Sequence, residues 1–477
     1  MNLSSATALT MTKSIATIPM FACLHLRFTV VDHKKLTKLA SFFPEGKPLY
    51  AVGGYVRDRF LGMECHDVDV CAELTVDEVK QALKHTDFVV SDKNLRVGTV
   101  VISGRGLSIE YTTFRTDSYP DGSGTHTPTE VTFTDDIKVD ALRRDFGINA
   151  IYLDIVKDEI VDPLGRVCDV KNKIIKTADD PDRVFSADGH RILRMVRFAC
   201  ELGFEIDKGT FASAKKYASQ VKDLTVERIY QELDRIFVAD TRHPELNLTD
   251  AHHRGLKLLD ELGLMEELFP AVNALKGLEQ NPKYHLYDAY QHTLEAFKAS
   301  KPNVRWATLL HDIGKRPCQD KYGNTYVHAS VGADMAKDIL ADYKMPKQKA
   351  KRVYDLVFNH MVNINRNMSK AKLDWFVAEH AGIASDLADL IDADTCGAMG
   401  AYPEENFVRE TLNQLIEEKA PLSVKDLPVT GRDLIDMGVE DRDRGMMLYE
   451  LWRECIMNPA LRTREKALQY IAKRSGK

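Results

Sequence analysis

The chain has 477 residues, more than one hydrophobic core can serve, so three or four domains are expected. Its 44% hydrophobic and 29% charged content describe an ordinary globular protein, and no apolar run approaches the ~18 residues that span a membrane. A net charge of −6 excludes nucleic-acid binding through overall charge, so any polyanion must be met by local basic patches.

Residues 1–30 are rich in Ser and Thr, and the first acid is Asp32. A transit peptide would carry more Arg, so a disordered extension is expected, with Met11 as an alternative start. Residues 48–105 alternate short β-type runs ("LYAVGG", "DVDVCA", "FVVSD", "GTVVIS") with helical stretches ("VRDRFLG", "TVDEVKQALKH"), an α/β pattern. "SGRG" at 103–106 reads as a turn into a further strand, "LSIEYTTFR". Residues 116–140 are polar and read as a mobile loop. From Asp182 onward helical periodicity dominates, so a small α/β head precedes a long helical body. The eight cysteines show no CxxC spacing, which suits reduced thiols in the cytoplasm.

The head carries the first chemistry. Asp67 and Asp69, two apart in a β-type run, are expected to project the same way from one strand. Two such carboxylates repel unless a cation lies between them, and Mg²⁺ suits carboxylates plus substrate phosphates. Glu110 is the candidate third acid. A lone DxD pair is common on solvent-facing strands. Gly53-Gly54 distinguishes this one, because glycines let a backbone approach a phosphate, and Arg57 stands ready to pair with it. Asp58 reads as a loop anchor.

GG-x-VRD followed by DxD resembles the nucleotidyltransferase superfamily related to polymerase β. The greatest likeness is to class II tRNA nucleotidyltransferases (CCA-adding enzymes) and bacterial poly(A) polymerases. "RRDFGINAIYLD" at 143–154, the stretch 162–207 and "VERIYQELDRIF" at 226–237 continue the resemblance in order. The resemblance implies nucleotide binding by Gly53, Gly54, Arg57, Arg144, Asp145 and Asn149, and catalysis by Asp67, Asp69 and Glu110 with Mg²⁺. It assigns base reading to Asp188 and Arg191, three apart and expected on one helix face. A carboxylate that accepts and a guanidinium that donates match the pairing edges of C and A but not of G or U. Arg194 and Arg197 extend the basic run, toward primer phosphates or solvent. Ala187 stands where the family usually has Glu, and Gly147 where it has Thr or Met.

In the body, His311-Asp312 interrupts an apolar helical run, and two polar groups there need partners. With His292, His328, His360 and Asp394 the order resembles the HD phosphohydrolase superfamily. This implies a divalent metal with His292, His311, Asp312 and Asp394 as core ligands, joined by His328 and His360 in the versions with two metals, and a phosphate contact for Lys315. The stretch 426–472 resembles the tail of CCA-adding enzymes. "KMPKQKAKR" at 344–352, with five positive residues and no acid, and Lys466, Lys473, Arg474 and Lys477 offer RNA-facing patches.

The expected architecture is α+β: a small mixed-sheet head, then an elongated all-α neck, HD body and tail. The expected boundaries are 1–30, 31–170 (nucleotidyltransferase head), 171–245 (neck), 246–410 (HD) and 411–477 (tail). The expected activity is template-independent addition of C, C and A from CTP and ATP to the tRNA 3′ end, with tRNA also contacted at its elbow. The alternatives are a poly(A) polymerase, a CC-only or A-only enzyme, an HD phosphohydrolase with a merely RNA-binding head, and a noncatalytic tRNA chaperone.

Overall fold

A computed structural model describes residues 16–19, 33–65, 67–118, 129–362 and 367–475. The chain divides into two compact units, Met1–Glu267 and Leu268–Lys477.

The first unit is built on an eight-stranded mixed sheet. Its strands are β1 (Ala16–Pro19), β2 (Tyr50–Val52), β3 (Asp69–Ala72), β4 (Val89–Asn94), β5 (Thr99–Gly104) and β6 (Leu107–Thr113), then β9 (Tyr152–Asp154) and β10 (Glu159–Asp162). Two strands between them, β7 (Arg115–Ser118) and β8 (Glu130–Phe133), form a separate antiparallel pair. A short parallel pair, β11 (Ile174–Ile175) and β12 (Glu205–Ile206), follows. The main sheet runs β1-β10-β9-β2-β3-β6-β5-β4, and only β3 and β6 pair in parallel. Along β6, Leu107, Ile109, Tyr111 and Thr113 are buried, while Ser108, Glu110 and Thr112 face the other side. That alternation leaves one face of the sheet free to form a site.

Two expectations need revision. Within 1–30, Ala16–Pro19 is the described part, and it pairs antiparallel with β10. The stretch 116–140 is not one loop: β7 and β8 pair, and helix α4 below follows, with 119–128 outside the described residues. Thr116, Val131 and Thr132 supply β-branched side chains within a polar composition.

The head helices are α1 (His33–Ala40), α2 (Gly54–Leu61), α3 (Val76–Leu83), α4 (Ile137–Leu142) and α5 (Val167–Lys171). A short α6 (Pro181–Ala187) leads to α7 (His190–Leu202), then α8 (Lys208–Lys216) and α9 (Val226–Phe237). Helix α7 buries Ile192, Leu193, Met195, Val196, Phe198 and Ala199, and packs on α9.

The described part of the second unit is entirely helical. The carbonyl of His328 lies where a Cβ on Gly314 would sit 2.2 Å away, so only glycine lets helix His328–Asp342 approach the turn after His311. The C-terminal helices share a core with the preceding ones: Leu451, Trp452, Ile456 and Ile471 belong to the same cluster as Val377, Ala384 and Ala388. Trp452 also donates to the Pro421 carbonyl at 2.7 Å. No helix of the described residues is long and apolar enough to cross a membrane.

Candidate active site and candidate metal centre

Antiparallel pairing sets Val52 opposite Asp69, so Gly53 and Gly54 leave β2 at the end where the chain enters β3. Gly53 has φ +74° with no atom close enough to touch a Cβ; the backbone conformation, not space, requires glycine. Asp69 opens β3, whereas Asp67 lies just before it; both are exposed. The expected DxD strand is therefore half strand, half entry turn. Glu110 is the direct partner of Asp69 across the parallel β3–β6 pair. Desolvation and Glu110 push the Asp69 carboxyl above its usual range, against the pull of Arg144.

Asp69 and Glu110 line a cleft of about 360 Å³ with Lys93, Arg115, Arg143 and Arg144. Gly53, Gly54, Arg57 and Asp67 do not contribute to that lining. The oxygen-rich, mutually repelling donor set of Asp69 and Glu110 fits a hard divalent cation.

The "RRD" stretch forms the cleft wall. Asp140, fully buried, binds Arg143 at 2.8 Å, Arg144 at 2.9 Å and the Tyr152 hydroxyl at 2.7 Å. Its role was not expected; its only sequence signal is an acid three and four residues before the arginines. Asp145 accepts from Arg194 at 2.8 Å and Asn149 at 3.2 Å, and Asn149 in turn accepts from Arg57 at 2.9 Å. Arg57 is buried and also held by Asp58 at 2.7 Å. It ties α2 to the "RRD" stretch rather than pointing into the cleft. Burial opposes the charge on Asp145, yet Arg194 beside it holds the carboxyl well below the usual range.

Asp188 and Arg191 do not share a helix face. The Asp188 carboxylate captures the His190 N–H at 2.9 Å and Asp188 turns extended, which ends α6 before α7 begins. Arg191 donates to the Arg143 carbonyl at 2.9 Å, so the turn still docks on the "RRD" stretch. Arg197 faces neither solvent nor a primer: it is buried, bound to Glu232 at 2.6 Å and Glu201 at 3.0 Å. Gly147 packs against Arg166, whose Cγ would lie 2.8 Å from an added Cβ.

In the second unit all six expected ligands converge. His292 comes from helix Ala289–Ala299, and His311 and Asp312 follow helix Arg305–Leu310. His328 opens helix His328–Asp342, His360 ends helix Lys347–Asn359, and Asp394 lies on helix Ala381–Met399. Nε2 of His292 and His311 are 3.1 Å apart, as are those of His328 and His360. Asp312 stands between the pairs, with Oδ2 3.3 Å from His292 and Oδ1 3.3 Å from His328; Asp394 Oδ1 is 3.0 Å from His292. His311, His328 and His360 each direct Nδ1 at a backbone carbonyl, at 2.7, 2.7 and 2.6 Å. Those carbonyls fix the tautomer of these three rings and aim their Nε2 atoms inward. Facing acceptors with a bridging carboxylate are a donor set for divalent metal. Among protein groups alone the imidazoles are driven apart. Burial lowers both, but Asp312 lifts His311 to about 10, while His311 and His328 help hold His360 at about 3. Lys315 binds Asp312 at 2.6 Å and Gln280 at 2.6 Å, at the edge of a cavity of about 390 Å³.

Family models place a Poly A polymerase head domain at 49–176, a probable RNA and SrmB-binding site of polymerase A at 203–276 and an HD domain at 285–399. The fold is that of the CTP complex of the Bacillus stearothermophilus CCA-adding enzyme, with TM-score 0.63 at 22% identity over 93% of this chain and 97% of that one. The Thermotoga maritima CCA-adding enzyme complexed with tRNA gives TM-score 0.52 at 20% identity over 89% and 92%. The CCA-adding enzyme of Limosilactobacillus fermentum is 38% identical over 196 residues, 40% of this chain and 46% of its own. That of Geobacillus sp. strain WCH70 is 30% identical over 404 residues, 84% of this chain and 86% of its own. On that shared length and identity, the chain belongs to the CCA-adding enzymes.

Proposed function

We propose that this chain adds C, C and A from CTP and ATP to the 3′ end of tRNA, releasing pyrophosphate, with the chemistry in the head cleft. The observation that carries the reading is the Asp69–Glu110 pair, side by side on the cleft face beneath Arg143 and Arg144. Asp67, Asp69 and Glu110 would hold Mg²⁺, which supplies charge neutralisation on the triphosphate and activation of the attacking 3′-hydroxyl. Arg144, oriented by Asp140, presents its charge to nucleotide phosphate or ribose. Asn149 and Asp145, locked by Arg57 and Arg194, fix the ribose side of the pocket. The turn at Asp188 and Arg191 brings an acceptor and a donor toward the base edge, the pattern that C and A satisfy. Gly53 and Gly54 offer backbone N–H groups near the same phosphates. No covalent nucleophile is needed; position and charge do the work.

Substituting Asp69 by Ala, or Asp67 by Ala, abolishes CMP and AMP incorporation into a tRNA transcript lacking its CCA end. Full incorporation by either variant would remove the head assignment. The basic run at 344–352 and the tail helix Arg464–Arg474 provide positive charge for the tRNA elbow; Lys477 lies outside the described residues. The cysteines among the described residues are unpaired thiols, which supports a reducing, cytoplasmic setting.

The six convergent HD side chains support a second reading beside the first: a divalent metal centre that hydrolyses phosphoesters. In it Asp312 joins the two histidine pairs and Lys315 receives phosphate.

A further inference from the structure

Lys93 lies outside every motif, at the point where β4 departs from regular pairing. Asp92 pairs with Val100 and Asn94 with Thr99, so Lys93 is the extra residue of a β-bulge. A bulge re-aims the side chain it carries. Here the ammonium crosses β5 and forms an ion pair with Glu110 on β6. Lys93, Glu110 and Asp69 line one cleft.

The other cations of that cleft are bound to carboxylates outside it. Arg115 binds Asp117, and Arg143 and Arg144 bind Asp140. Lys93 is paired with a carboxylate of the cleft itself. Its side chain is 53% exposed, so charge rather than packing places it there.

We propose that Lys93 is an internal counter-ion of the Asp69–Glu110 pair, which a divalent cation displaces and the phosphates of the incoming nucleoside triphosphate then receive. The inference rests on reading those carboxylates as metal ligands. Two adjacent ionised carboxylates repel, so a cation beside them is favoured, and a lysine is a flexible, hydrated point charge suited to leaving. Competition by Lys93 weakens metal binding when nucleotide is absent. Triphosphate relieves the competition by accepting the ammonium, so metal and nucleotide bind with positive coupling.

The test is Mn²⁺ binding to the full chain, followed by electron paramagnetic resonance. The head's share is the binding lost in Asp69→Asn. Lys93 is exposed on an edge strand, so Lys93→Met and Lys93→Arg keep the fold. Without nucleotide, Lys93→Met binds head Mn²⁺ about fivefold or more tightly than the unsubstituted chain, and Lys93→Arg stays near it. With saturating CTP the difference between Lys93→Met and the unsubstituted chain falls within about twofold. Unchanged or weaker head affinity in Lys93→Met overturns the counter-ion while leaving the carboxylates as ligands. If Asp69→Asn loses no Mn²⁺, the carboxylate reading itself fails, and the counter-ion with it.

Discussion

Buried without solvent contact, Asp140 receives Arg143, Arg144 and the Tyr152 hydroxyl at once. Burial alone would raise its pKa. Arg144, Arg143 and Tyr152 overcome burial and hold it at about 2, below the usual aspartate range. The folded state therefore binds this proton less readily than the unfolded chain. The charged form contributes about 2 kcal/mol of stability above pH ~4, lost as pH falls toward ~2. Asp140→Asn should flatten that part of the stability–pH curve measured by urea unfolding, and cost about 3 kcal/mol at neutral pH by leaving two arginines short of a partner. An unchanged acid limb would contradict this assignment. Asp140 and Lys93 were not legible in the sequence, because a single charged residue in a polar stretch looks like a solvated one. Asp69 and Glu110 were legible, since strand alternation and the glycine turn restrict which acids can meet. Arg57 was legible as important but not in its role, because its partner Asn149 is 92 positions away.

Among elements, α7 carries Arg191 and Arg194, which dock on the "RRD" stretch, and α9 holds it. The Glu232 carboxylate on α9 receives His190 at 3.0 Å and Arg197 at 2.6 Å, which bracket Arg191 and Arg194. Burial opposes the Glu232 charge, but His190 and Arg197 hold it at about 2. Glu232→Ala frees both contacts. It should lower the unfolding free energy by about 3 kcal/mol. It should also raise KM for CTP and ATP about tenfold, with a smaller change in kcat, in steady-state assays. An unchanged KM with a lowered kcat for both CTP and ATP would mean that α7 is not aimed by this contact. The break between α6 and α7 escaped the sequence because helical periodicity runs through "VFSADGHRIL". The Asp188 side chain ends the helix locally, and periodicity does not register that. The β7–β8 pair escaped for the opposite reason: polar composition masked strand-forming residues.

At the scale of the molecule, the head cleft and the six convergent HD side chains belong to different units, and each site should fail alone. Asp312→Asn removes the carboxylate shared by both histidine pairs. Bound divalent metal, measured by mass spectrometry after gel filtration, should fall, while CMP and AMP incorporation remains. Loss of both together would contradict the separation. The His311-Asp312 doublet was legible because polar groups in an apolar helical run need partners, while the other HD side chains were legible only through the resemblance to the HD superfamily. The central claim is stepwise C, C and A addition by the head. Its most direct test supplies tRNA transcripts ending before the first C, after one C and after two with one nucleotide at a time. The account predicts that CTP alone stops after completing CC, that ATP alone extends only the CC-ended transcript, by a single A, and that UTP and GTP add nothing. A run of adenylates from ATP alone, or no growth of the CC-ended transcript with ATP, would contradict it.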